Sequence, residues 1–75
     1  MNRSEFLEKY KDVEFKFVEY WKHRFQYEAE VNGDLIEVWL GDKDGDIYRN
    51  SFTSVEKISD GELLYWRING GEIEE

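Results

Sequence analysis

The sequence predicts an α+β domain, a short N-terminal helix packed on one face of a four- to five-stranded antiparallel sheet. Three observations carry this: helix-start chemistry in the first ten residues, period-2 alternation from Val13 to Val31, and an Asn-Gly pair at Asn32 and Gly33 between two alternating segments. Seventy-five residues with no Pro and six glycines leave room for one domain, spanning 1–75. The five Phe, five Tyr and three Trp supply large buried areas per residue, which offsets the small size.

The segment "NRSEFLEKYK" offers Asn2 or Ser4 as N-cap, Glu5 and Glu8 in the first turns, and Phe6, Leu7 and Tyr10 at helical spacing. From Val13 to Val31, eight of ten odd positions are apolar or aromatic, whereas Val18 and Tyr20 are the only such residues among the nine even ones. That is a strand pattern. Nineteen residues exceed the usual strand length, so the segment is one long bent strand or two strands meeting at "WKHR". No turn residue marks a hairpin there, which favours a bend near Glu19 to Arg24 and puts Trp21 on the apolar face.

Asn-Gly is the preferred pair of a two-residue type I′ turn. With Asn32 and Gly33 as the loop, Ala29 faces Ile36, Tyr27 faces Val38 and Phe25 faces Leu40, all apolar. Turn and pattern therefore specify one register. The opposite face then carries Glu30 across from Leu35, Glu28 across from Glu37, and Gln26 across from Trp39. Two carboxylates directly opposite each other are destabilising by roughly 1 kcal/mol or less. Further on, "IYRNSFT" reads as a strand, "SVEKISDGE" as a turn or short helical piece, and "LLYWRI" as a final strand before "NGG". Pairing Tyr48 with Leu40 would lay Arg49 against Trp39 on the acidic face, a geometry suited to cation–π stacking.

The formal charge of −8 is unevenly spread: residues 25–48 hold seven acids against Lys43 alone. This sign argues against direct nucleic-acid binding and against an anionic membrane surface. No export signal and no membrane-length apolar run is visible, and the absence of Cys is compatible with a reducing compartment, so a cytoplasmic location is expected.

Catalytic chemistry finds little support. His23 is the only histidine, no Cys completes a zinc site, and the serines lack an elbow motif. Glu28 and Glu37 could act as an acid–base pair only with a pocket around them, which an open sheet face does not provide. The stretch "DKDGD" resembles the start of an EF-hand loop, with Asp42, Asp44 and Asp46 at positions 1, 3 and 5. Ile47 then stands where Gly is required and Thr53 where the bidentate Glu is required, so no metal or other cofactor is expected.

These readings point to a small acidic, non-enzymatic binding protein. Its carboxylate surface would occlude the basic site of a nucleic-acid-handling protein, with Glu28, Glu30, Asp34, Glu37, Asp42, Asp44 and Asp46 as contacts and Trp39 as aromatic anchor. In size and charge, with no shared motif, the chain is similar to small acidic inhibitors such as the phage inhibitor of uracil-DNA glycosylase and several anti-CRISPR proteins. An alternative is an interaction or homodimerising module using exposed aromatics or a sheet edge, its acids serving solubility alone. A weak calcium-binding domain is a third reading.

Overall fold

The computed structural model describes residues 1–41 and 54–75, and there the chain forms one helix and a five-stranded antiparallel sheet, as the sequence predicts. The elements are α1 (Arg3–Tyr10), β1 (Phe15–Trp21), β2 (Arg24–Val31), β3 (Asp34–Gly41), β4 (Val55–Glu56), a 3-10 turn (Ile58–Asp60) and β5 (Glu62–Ile68). The strand order is β4-β1-β2-β3-β5. The expected strand "IYRNSFT", with its pairing of Tyr48 to Leu40 and Arg49 to Trp39, lies outside the described residues, as does the Asp42, Asp44, Asp46 loop. The place beside β3 where that strand was expected is taken by β5.

Helix α1 starts where its capping chemistry requires. Asn2 accepts from the Glu5 amide at 2.9 Å while the Glu5 carboxylate accepts from the Asn2 amide at 3.1 Å, a complete capping box. Phe6 and Tyr10, one turn apart, are buried, and Phe6 stacks on Trp66 of β5 with ring centroids 4.5 Å apart. The Arg3 guanidinium donates to the carbonyls of Leu63 and Leu64, fastening the helix to β5.

The β2–β3 hairpin has the register that the Asn-Gly turn dictates. Phe25 pairs with Leu40, Tyr27 with Val38, Glu28 with Glu37, and Ala29 with Ile36. Asn32 and Gly33 have φ of 52° and 86°, the signature of a type I′ turn. The inward positions Phe25, Tyr27, Ile36, Val38 and Leu40 are 1% exposed or less. With Phe6, Phe15, Ile58, Leu63 and Trp66 they form the core between helix and sheet.

Residues 15–31 do not form one bent strand. They form a second tight hairpin, with Trp21 opposite Arg24 and a two-residue loop of Lys22 and His23 at φ of 49° and 65°. The hairpin escapes notice in the sequence because two shifts of phase cancel. A two-residue loop makes inward residues odd on one strand and even on the other, but Val18 is an extra residue in β1, a bulge between the pairs Phe17–Tyr27 and Glu19–Gln26. Phe15 and Phe17 thus face inward before the bulge and Tyr20 after it, and the odd-numbered apolar pattern resumes intact at Phe25. The same shift turns Trp21 away from the core, contrary to the sequence expectation. It is 65% exposed on the other face of the sheet.

Neither Lys22 nor His23 is suited to positive φ, unlike Asn32 and Gly33. Replacing the pair with Asn-Gly (K22N/H23G) is expected to stabilise the fold by about 1 kcal/mol. Urea denaturation would show this as a higher midpoint with an unchanged slope. Phe6→Ala removes the ring that covers Trp66 and is expected to cost roughly 3–5 kcal/mol. In so small a domain that approaches the whole stability, so the far-UV circular dichroism of this variant should lose its cooperative thermal transition. Retention of a wild-type melt would show that the core closes without the helix.

Candidate protein-contact face

The face of the sheet turned away from α1 is built from the outward positions of four neighbouring strands, and pairing arranges them in rows. One row reads Lys16 (β1), Glu28 (β2), Glu37 (β3), Arg67 (β5). The next reads Glu19, Gln26, Trp39, Tyr65, and beyond it Trp21 stands beside Arg24. On the other side of the first row, Glu30 stands beside Leu35.

The first row explains how two carboxylates can occupy directly opposed positions. Glu37 is 6% exposed and is held by three hydrogen bonds. Arg67 donates Nε–H to Oε1 at 2.9 Å and Nη2–H to Oε2 at 3.0 Å, and Gln26 donates to Oε2 at 2.9 Å. Such a bidentate, charge-assisted pair matches the planar fork of Arg to a carboxylate. The Glu37 carboxylate holds the Arg67 guanidinium above its ordinary pKa, chiefly through the hydrogen bonds. Lys16 stands opposite Glu28 on the far side. The row therefore runs positive, negative, negative, positive, and each of its inner carboxylates has a cation on its outer flank.

The aromatic part of the face is equally organised. Trp39 and Tyr65 lie across from each other with ring centroids 5.0 Å apart, and the Arg67 guanidinium carbon sits 5.5 Å from the Trp39 ring centroid. The cation over Trp39 is thus Arg67. Lys22 Nζ lies 5.6 Å from the Trp21 ring centroid. Glu19, Trp21, Arg24, Gln26, Trp39 and Tyr65 enclose a shallow depression of about 70 Å³, the size of one small side chain.

Of the expected contact residues, Glu28, Glu30, Glu37 and Trp39 share this face, with Glu28 and Trp39 half-buried and Glu30 exposed. Asp34, paired with Val31 at the turn end of β3, has the parity of buried Ile36 and so falls outside the outward set Leu35, Glu37 and Trp39; its Oδ1 accepts from Asn69 at 2.9 Å. The carboxylate of Glu37 is spent on Arg67 and Gln26. Lys16, Trp21, Arg24, Tyr65 and Arg67 belong to the face but were not singled out by sequence. For Tyr65 and Arg67 a signal existed, since they alternate with buried Trp66 and inward Ile68, but nothing local says which strand β5 joins.

The sole histidine shares a 3.2 Å hydrogen bond between its Nδ1 and the Tyr20 hydroxyl at the exposed turn. Among the described residues no group of three or more His, Asp or Glu is placed to hold a metal ion, and no helix is long and apolar enough to cross a membrane. Set against family models, curated proteins and solved structures, the chain matches none.

The charge row makes a test of its own. Arg67→Ala leaves the Glu37 carboxylate buried beside Glu28 with Gln26 as its remaining donor, and is expected to lower the melting temperature. Adding Glu28→Gln should recover part of that loss, because the juxtaposed charge is gone while Glu28→Gln in the wild-type background changes little. A double-mutant cycle by thermal melting measures the coupling. Strict additivity would mean that Glu28 and Glu37 do not sense each other.

Proposed function

We propose that this chain is a non-enzymatic binding protein that uses the outer face of its sheet as a protein contact surface, with Trp21 as the anchor. The observation that carries this reading is the exposure of Trp21 at the rim of a depression walled by Trp39 and Tyr65. Large aromatic side chains left in water on a rigid sheet are what interface hot spots are made of. The interleaved cations favour this reading over a uniformly acidic surface, since Lys16, Arg24 and Arg67 stand among the carboxylates. Glu30 and Arg24 at opposite ends of β2 supply a polar rim.

A second reading keeps the acidic surface as the contact, with the protein occluding the basic site of a nucleic-acid-handling protein. The net charge of −8 favours it, as does the placement of Glu28 and Glu30 two residues apart along β2 on this face. In that case association would be fast and salt-sensitive.

Affinity capture from a bacterial lysate separates the two. For an aromatic contact, capture is lost with Trp21→Ala and survives a change from about 50 to about 500 mM salt, a range over which surface charge attraction is screened within a few Å. For an acidic contact, capture collapses with salt and with reversal of Glu28 and Glu30 to Lys, and Trp21→Ala has little effect. Capture that ignores Trp21→Ala at every salt concentration would overturn the aromatic reading.

A further inference from the structure

We infer that the partner of the outer face is a second copy of this chain, packed face to face about a two-fold axis that lies between the row of Gln26 and the row of Glu28. The inference rests on the outer face being a contact surface, and it is carried by the order of charges along the strands. Four charged side chains of the face, Lys16, Glu19, Arg24 and Glu30, are exposed. None of the four makes an ion pair with another described residue, whereas Glu37 and Arg67 satisfy each other.

Take the axis parallel to the sheet and perpendicular to its strands. Each strand then faces its own counterpart running the opposite way, an aligned sheet-on-sheet packing. The row of Arg24 meets the row of Glu30, and the row of Glu19 meets the row of Lys16. Arg24 of one copy comes opposite Glu30 of the other, and Glu19 opposite Lys16. By symmetry each pairing occurs twice, so four ion pairs form from side chains that make none with other described residues. Glu28 comes opposite the Gln26 amide, and Tyr65 opposite Arg67, an aromatic-to-guanidinium contact. Trp21 travels with Arg24 toward the Glu30 end of the second copy.

A two-fold axis running along the strands over β2 would instead set Arg24 on Arg24, Glu28 on Glu28 and Glu30 on Glu30, and one over the middle of the face, between β2 and β3, would set Lys16 on Arg67 and Glu28 on Glu37. Like charges across an interface disfavour both placements, whereas the axis across the strands matches opposite charges at Arg24–Glu30 and at Glu19–Lys16. Strand spacing and rise make the face roughly 20 Å by 20 Å, or about 400 Å² per copy, which is the size of a weak, reversible interface. The dimer therefore forms at high protein concentration.

Sedimentation velocity from about 10 μM to about 1 mM, a span suited to a weak dissociation constant, tests this directly. The wild-type mass is expected to rise from one 9.1 kDa chain toward twofold that value. Arg24→Glu and Glu30→Arg each set like charges against each other and should hold the chain monomeric. The double variant R24E/E30R restores opposite charges and should regain the twofold mass. The pair Lys16→Glu and Glu19→Lys gives the same pattern, and circular dichroism verifies that each variant is folded. A wild type monomeric throughout, single variants that still dimerise, or a double variant that stays monomeric would each overturn the inference. A monomeric wild type that still loses lysate capture on Trp21→Ala would leave the contact face standing and remove only the second copy as its partner.

Discussion

The strand β2 is the constraint on which the rest of the structure depends, because it is the second arm of one tight hairpin and the first arm of another. A two-residue type I′ loop leaves no freedom of register, and a slip by one residue would exchange the two faces of a strand completely. The Asn32–Gly33 loop fixes β3 against β2, and the Lys22–His23 loop fixes β1 against it. Together they decide that Phe25 and Tyr27 enter the core while Arg24, Gln26, Glu28 and Glu30 line the outer face. The core and the outer face are two consequences of one register.

That register has a cost at Glu28 and Glu37, and its resolution ties distant parts of the chain together. Removing Glu37 from water would be unfavourable for an unpaired carboxylate. Arg67, thirty residues further along, supplies the fork that makes the position tolerable, and reaches it because β5 lies against β3 with Glu37 opposite Arg67. The same guanidinium covers Trp39. One residue therefore pairs the buried carboxylate of the row and lies over the aromatic wall of the depression. Placement of β5 depends in turn on Trp66, on the inner side of the same strand, stacking under Phe6 of the helix. Helix, core and outer face are joined through two adjacent residues, Trp66 and Arg67, that point in opposite directions.

Legibility in the sequence followed the range of the interaction. Asn2 and Glu5 announce the helix start, and Asn32–Gly33 announces the hairpin together with all of its pairings, since the chemistry is local and the residue types are specific to it. The helix, the antiparallel sheet and the opposition of Glu28 to Glu37 could all be read this way. The Lys22–His23 turn could not, because neither residue carries a turn signature and the bulge at Val18 repaired the odd-numbered pattern that the turn had broken. Arg67 was equally hidden: its role depends on β5 pairing with β3 across an intervening segment, a choice set by the closing of the core and not by any neighbour in sequence. The exposed cations Lys16 and Arg24 were visible as residues, but without β1 as a separate strand neither could be placed on the face.

The two hairpin loops also divide the molecule energetically. At one end of β2 the Asn-Gly loop takes positive φ at little cost, and Leu35 and Asn69 exchange two hydrogen bonds of 2.8 Å that brace it. At the other end, Lys22 and His23 hold the same backbone shape against their steric preference. This strained end carries Trp21 and Arg24, which line one depression with Gln26 and Trp39. Backbone strain persists only where surrounding contacts over-determine it, and here they do: the Tyr20 hydroxyl meets the His23 ring, Tyr20 packs on Phe25 with centroids 5.0 Å apart, and Lys22 lies by Trp21. These contacts tie the Lys22–His23 turn to the end of β1, where Trp21 is exposed on the outer face. A backbone fixed by such contacts has less conformational freedom to lose when the side chain it carries is covered, which supports the proposal that a partner engages this end of the face.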